Sequence, residues 1–263
     1  MKHAWLSFVS VWLTRVLVVL AIAFFLVPIV IVGVMSFSSS DVMMFPPKSF
    51  GFRQYSSAFS SGDWWLAART SLVVGAATAV VSCVIAILGV LAIARTRVKA
   101  ANLVYGAALL AIVAPVAAVA VALYQVLAKV GLLGSVPGLV IAHCILGVPV
   151  SLLVLRVGLS GIPQTLELAA MSLGASRVQA WIHITIRLLT SSFGAAFILT
   201  FLMSFDEAVF ATFLGGAHVN TLPRAIFNSI RFGLDPVITA IATILMVATG
   251  VLAVGGSLLR RGR

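Results

Sequence analysis

Six stretches of this chain, at 16–36, 70–94, 102–126, 136–155, 189–215 and 237–259, are each predominantly apolar over about 20 residues or more. That is the length a helix needs to cross the hydrocarbon of a bilayer, at a rise of about 1.5 Å per residue. Of the 263 residues, 62% are hydrophobic and 9% are charged, against about 25% charged in an ordinary soluble domain. These proportions exclude both a water-soluble globule and a disordered chain, which requires low hydrophobicity. The expected fold class is therefore all-α: an integral membrane protein with about six transmembrane helices in a single domain covering 1–263. The first run follows Lys2, His3 and Arg15 but is too long for a secretory signal and lacks a small-residue cleavage pattern, so it reads as a retained anchor.

Cationic residues orient such a chain, because they stay on the cytoplasmic side. With the N-terminus inside, 11 of the 17 Lys and Arg residues fall in cytoplasmic segments and 6 in outer ones, which predicts an N-in, C-in topology. The formal net charge of +11 is then an orientation signal against anionic headgroups. Membrane lipid is an expected partner and nucleic acid is not. Cys83 and Cys144 lie in separate apolar runs and read as small packing residues. His3, His143, His183 and His218 are scattered without metal-ligand spacing, so neither a metal site nor a catalytic constellation is expected. His143, in the fourth run, reads as a helix-packing residue or as one lining a pore. A phosphate-cradling G-x-x-x-x-G-K-[ST] loop is missing, so the chain is expected to hold no ATP of its own.

Two connections are too long to be simple links. The outer one, 37–69, carries Phe45, Phe50, Phe52, Tyr55, Phe59, Trp64 and Trp65. Aromatic residues at this density suit either the membrane interface or a docking surface for an external partner. The inner one, 156–188, contains LSGIPQTLELAAMSLGASRVQAWIHITIRL. Pro163 suits a first helical turn, Gly174 a left-handed helix stop, and Ser176 the cap of a second helix. The expected product is a helix, a sharp turn and a helix projecting into the cytoplasm. Ala169, Ala170 and Gly174 leave one flank of the turn nearly bare, which suits either a surface hairpin on lipid or a knob that another protein grips.

This stretch resembles the cytoplasmic loop signature of binding-protein-dependent ABC-transporter permeases, E-A-A-x-x-x-G followed by I-x-L-P. The matching residues here are Leu168-Ala169-Ala170, Gly174 and Ile184-Thr185-Ile186-Arg187. Ser204–Gly216, Thr221–Pro236 and the FSSSDVMMFPP opening of the outer loop are similar to the polyamine (spermidine/putrescine) permeases of that superfamily; amino-acid, opine and iron importers share parts of the pattern. The resemblance implies an ATPase-coupling loop at Glu167, Leu168, Ala169, Ala170, Gly174 and Ala175. It implies two ABC ATPase subunits that bind ATP and magnesium, a second permease subunit and an external solute-binding protein, all at a bacterial inner membrane. Leu168 stands where the family has Glu. A displacement of one residue turns a side chain by about 100° around a helix, so the family's ion pair to the ATPase is not assigned to Glu167. Arg187 replaces the closing proline, which predicts that the second helix runs unbroken into the fifth span.

Asp206 and Glu207, beside Phe205, are the candidates for a substrate path. A carboxylate at membrane depth costs roughly 2.5–3.5 kcal/mol and seeks a partner or water, and two in succession suit a cationic solute. Neighbours on a helix diverge, so one is expected to face the path and the other a protein partner; headgroup water at the outer end of the span is the alternative. Pro223, Arg224 and Arg231 lie in an amphipathic outer segment that reads as interfacial, as an outer gate or as a docking site for the binding protein. Asp235 and Pro236 read as cap and first residue of the last span. A secondary carrier or channel would also show membrane-embedded acids, but has no need of the projecting cytoplasmic elbow.

Overall fold

The computed structural model describes residues 2–95, 100–217, 219–233 and 235–261. Among these the regular structure is helical, with one isolated antiparallel bridge between Ser38 and Phe50. The helices are α1 (Lys2–Ser36), α2 (Arg53–Ser60), α3 (Gly62–Arg95), α4 (Ala100–Val113), α5 (Val116–Lys129) and α6 (Val136–Ser160), followed by α7 (Thr165–Ser172), α8 (Arg177–Ala180), α9 (Thr190–Phe205), α10 (Val209–Leu214), α11 (Leu222–Phe232) and α12 (Val237–Arg261). A π-helical stretch, Trp181–Ile186, continues α8. The chain forms two units: Met1–Trp65 with Asn228–Arg263, and Leu66–Phe227.

In the first unit α12 packs against α1 and α2. The start of α12 is capped as its sequence requires, with Asp235 Oδ1 accepting from the Val237 amide at 3.0 Å. The outer loop is pinned by Arg53, which pairs with Asp41, and by Gln54, whose Nε2 donates to the Ser40 carbonyl at 2.8 Å. Phe37 and Phe52 meet edge to face there and both lie tilted against Tyr55, and Phe45, Phe50, Phe52 and Phe59 are exposed.

The second unit is built on α3 and α6, both long and apolar enough to span a membrane. One apolar cluster joins their residues to α5 and α10 through Ala120, Leu139, Phe210 and Leu214; another joins them to α9 through Leu91, Leu155, Leu189 and Ala196. The helices approach closely at Gly147. A Cβ there would stand 2.5 Å from Ser82 Oγ on α3 and 3.0 Å from Thr200 Cγ2 on α9. Small residues permit this approach where lipid removes the ordinary hydrophobic drive for association. Gly147→Val is therefore expected to destabilise the chain by about 1–3 kcal/mol through overpacking. A thermal scan in detergent checks it, and a midpoint equal to that of the wild type would show that the crossing yields.

Several expected spans differ in the structure: α1 begins at Lys2 rather than at 16, and α6 runs on to Ser160 rather than ending at 155. The run 102–126 is two helices, α4 and α5, bent by 109° between Val113 and Val116, because Pro115 has no amide to donate and disfavours helical geometry at Ala114. The run 189–215 ends its helix at Phe205 and resumes at Val209. The span 70–94 begins earlier, at Gly62, with Asp63 in the first turn where the helix dipole favours an acid.

The expectation of an unbroken entry into the fifth span is also overturned. The segments Arg177–Ile186 and Thr190–Phe205 meet at 72° without a proline. The π-helical stretch supplies the break, since an i→i+5 pattern takes the following turn out of register.

Candidate functional site

The loop between α6 and α9 folds by rules legible in its residues. Pro163 lies just before the helix rather than in its first turn, its carbonyl accepting from the Leu166 amide at 3.3 Å. Helix α7 stops at Ser172, and Gly174 takes φ +95°. Its amide donates to the Met171 carbonyl at 3.0 Å, and the Ala175 amide to Ala170 at 3.1 Å. These are the two bonds of a Schellman stop, which leaves a glycine in the left-handed region. Ser176 then caps α8 reciprocally with Gln179: Ser176 Oγ accepts from the Gln179 amide at 3.3 Å, and Gln179 Oε1 from the Ser176 amide at 2.8 Å. The elbow stands free of the unit's core, with Leu173 at its tip 89% exposed and Leu168 and Val178 also exposed. Ala169 is exposed, and Ala170 and Ala175 are partly so.

Glu167 does not share that exposure. It is 4% exposed and faces inward from α7. Glu167 Oε1 accepts from Arg95 Nε at 2.9 Å and from Thr185 Oγ1 at 2.7 Å, and Oε2 accepts from Trp181 Nε1 at 3.2 Å. Arg95 also donates from its second nitrogen to the Ile162 carbonyl at 3.0 Å. Glu167 is thus an internal anchor of the elbow and no part of its outer face. Sequence reasoning counted Arg95 only as an orientation charge and passed over Trp181 and Thr185. The signal available was scarcity: with 6 Asp and Glu in the chain, an acid on an otherwise apolar helix needs a cation.

The second group lies where α9 breaks. Asp206 ends α9; its side chain is exposed and makes no hydrogen bond or ion pair among the described residues. Glu207 turns the other way and accepts from the amides of Val209 at 2.9 Å and Phe210 at 2.6 Å, so it caps α10. Its Oε2 lies 3.9 Å from Nε2 of His143 on α6. His143 is buried. Its Nδ1 bonds Ser204 Oγ at 2.7 Å, its ring lies against Phe210, and its Nε2 has no hydrogen-bond partner. Phe205 stacks on Phe201, ring centroids 5.6 Å apart.

In the outer segment Pro223 lies in the first turn of α11. Arg224 folds back on the preceding turn, donating to the carbonyls of Gly216 at 2.7 Å and Val219 at 2.9 Å. Arg231 lies over the Phe232 ring, 5.4 Å from its centroid. The two arginines thus do not present a common basic face. Cys83 and Cys144 are both buried and unpaired. His183 is exposed, its ring bonding the Gln179 carbonyl at 2.9 Å. His218 and the side chain of His3 lie outside the described residues.

No protein-family model matches the chain. It is 26% identical over 241 residues to the spermidine/putrescine transport system permease protein PotC of Escherichia coli strain K12, covering 92% of this chain and 91% of that protein. Over 167 residues it is 32% identical to the ABC transporter permease protein ORF1 of Streptomyces antibioticus, covering 63% of this chain and 73% of that one. The chain belongs to the ABC-transporter permeases. A shorter match, 35% identical over 88 residues, joins the permease to the putrescine transport system permease protein PotI of Escherichia coli and covers 34% of this chain and 31% of that protein. In fold, the permease superposes with a TM-score of 0.73 on the crystal structure of a bacterial ABC transporter involved in the import of the acidic polysaccharide alginate, at 15% identity and covering 93% of this chain and 94% of that one.

Proposed function

We propose that this permease is the membrane subunit of an ATP-driven importer for polyamines or related cationic solutes in a bacterial inner membrane. It forms the path together with a second permease subunit and receives solute from an external binding protein. Two ATPase subunits, which hold the ATP and magnesium, grip the elbow around Ala169–Gly174 and move it. The observation that carries this reading is the elbow itself: a Schellman stop and a capping box hold a bare, exposed turn in one shape, and a partner can bind it without first ordering it. The choice of substrate is supported by the relatives named for spermidine and putrescine and by the exposed, unpaired carboxylate of Asp206 at the helix break.

Tagged permease purified in mild detergent is expected to bring down its ATPase subunits, and vesicles carrying the complex to take up labelled putrescine or spermidine only with ATP inside. Asp206→Asn is expected to raise the apparent transport constant about three- to tenfold, the loss of one exposed charge contact being worth ~0.6–1.4 kcal/mol, while ATPase recovery stays unchanged. Uptake that ignores ATP depletion would favour a secondary carrier. An unaltered transport constant in the asparagine variant would remove Asp206 from the path.

A further inference from the structure

The elbow projects from the membrane unit, yet the end of α3 and the π-helical stretch both converge on one carboxylate just behind it. We propose that the Arg95–Glu167 pair is the latch that delivers movement of the elbow to α3, and that Glu167 is the positioning residue at its centre. This rests on the reading that an ATPase moves the elbow.

The geometry separates this pair from ordinary packing. The loop also touches α3 through apolar residues: Ile162 and Leu189 belong to the same cluster as Ile87, Val90 and Leu91. Apolar contact is non-directional, so it sets how closely two helices pack but fixes no bond angle between particular groups. Hydrogen bonds between ions have fixed lengths and angles, and they resist pulling as well as pushing. Among the described residues, the side-chain hydrogen bonds between the loop and α3 are those of Arg95, to Glu167 and to the Ile162 carbonyl. The same carboxylate holds Trp181 and Thr185, on the segment that leads into α9. Movement of α7 is thereby passed through Glu167 to the end of α3 and to the entry to α9, and Arg95 ties the same joint to Ile162 just past α6.

A buried ion pair is also a poor choice for stability alone, because apolar residues of the same volume usually hold a fold as well or better. Here Arg95 and Glu167 have side chains 11% and 5% exposed, so both are largely desolvated. Four donor contacts on two carboxylate oxygens and one carbonyl fix a single arrangement. What such a group supplies is direction. Leu168, which occupies the family's acidic position, points away into solvent and contributes nothing to the joint.

Distance measurement between spin labels tests the latch in the assembled complex. With Cys83→Ser and Cys144→Ser as background, labels are placed at Val178→Cys on α8 of the elbow, outside the gripped turn, and Leu88→Cys on α3, both exposed in the wild type. The expected result is one narrow distance, unchanged between the nucleotide-free and the ATP-trapped complex, because elbow and α3 move together. In Glu167→Gln an amide nitrogen must face one of the donors, and the distribution is expected to broaden while the ATPase is still recovered. Solute moved per ATP hydrolysed is expected to fall about tenfold, a scale at the upper part of measured coupling effects. A Glu167→Gln distribution as narrow as the wild type, or a wild-type distance that shifts with nucleotide, overturns the latch. Should Glu167→Gln fail to assemble, Arg95→Lys, which keeps the charge but gives up the forked donation, is measured in the same way: broadening supports the latch and an unchanged narrow distribution overturns it. Wild-type permease that recovers no ATPase would instead refute the proposed function, and the glutamine variant is then compared with wild type in the isolated permease, where broadening is still required.

Discussion

Replacing Gly174 by valine is expected to abolish recovery of the ATPase while leaving the permease inserted in the membrane and close to wild-type stability. The argument separates space from conformation. A Cβ at Gly174 would meet nothing within 4 Å, so the substitution creates no internal clash, but the residue holds φ +95°. A β-branched side chain is a severe outlier there, and even an ordinary L-residue loses roughly 1–2 kcal/mol in the left-handed region. Relaxing that φ breaks the bonds from the Gly174 and Ala175 amides to Met171 and Ala170 and swings Ser176 away from its cap. The elbow then loses its shape while the spans behind it keep theirs. Gly174→Asn provides the internal control, because asparagine tolerates positive φ yet adds a side chain. It is expected to keep part of the ATPase recovery if backbone shape is what matters. Equal loss in the asparagine and valine variants would mean instead that the partner's surface lies against the glycine itself. Full recovery with valine would remove the elbow as the handle.

Glu207→Ala carries the other large expected effect, on stability rather than on assembly. The carboxylate accepts two backbone amides, Val209 and Phe210, at the start of α10. Alanine leaves both without a partner in a segment where water is scarce. At about 1–3 kcal/mol for each orphaned donor, the expected destabilisation is about 2–6 kcal/mol, and it falls on the cluster around Phe210, which is fully buried. Glu207→Gln keeps one acceptor oxygen and is expected to lose about half as much. The neighbouring Asp206→Asn, exposed and unpaired, is expected to leave the melting midpoint within about 0.5 kcal/mol of wild type. Thermal unfolding of the three variants in one detergent provides the comparison. If alanine at 207 melted like wild type, the helix break would be held by packing alone.

The different fates of these two adjacent acids show how far the sequence could be read. That a pair of carboxylates beside Phe205 was costly enough to require partners or water followed from transfer energies alone. Helical geometry predicted that the two would diverge, but both lie in the break between Phe205 and Val209, so the break sets their directions, and which of them turned inward was not legible. Glu207 turns inward because the chain restarts a helix two residues later, where the Val209 and Phe210 amides need an acceptor. The restart is a tertiary event, set by Phe210, Ala211 and Leu214 entering a cluster with α5 and α6. The 109° break at Pro115 was, by contrast, written in the chain as a proline without an amide, inside a run whose apolar character concealed it. The 72° break before α9 had no such mark, since a π-helical turn depends on the contacts that hold it, here Trp181 and Thr185 on Glu167.

Helical class, apolar runs long enough to cross a membrane and the shape of the turn between α7 and α8 were determined by the sequence alone. Each depends on quantities local to a few residues: transfer free energy, the lack of a Cβ at Gly174, and the reach of the Ser176 side chain over one turn. The folded chain alone decided the inward burial of Glu167, its pairing with Arg95 across 72 residues of sequence, and the return of Arg224 onto its own loop. Partner choice at that separation depends on which helix ends meet in space, and only close packing of α3, α6 and α9 brings those ends together.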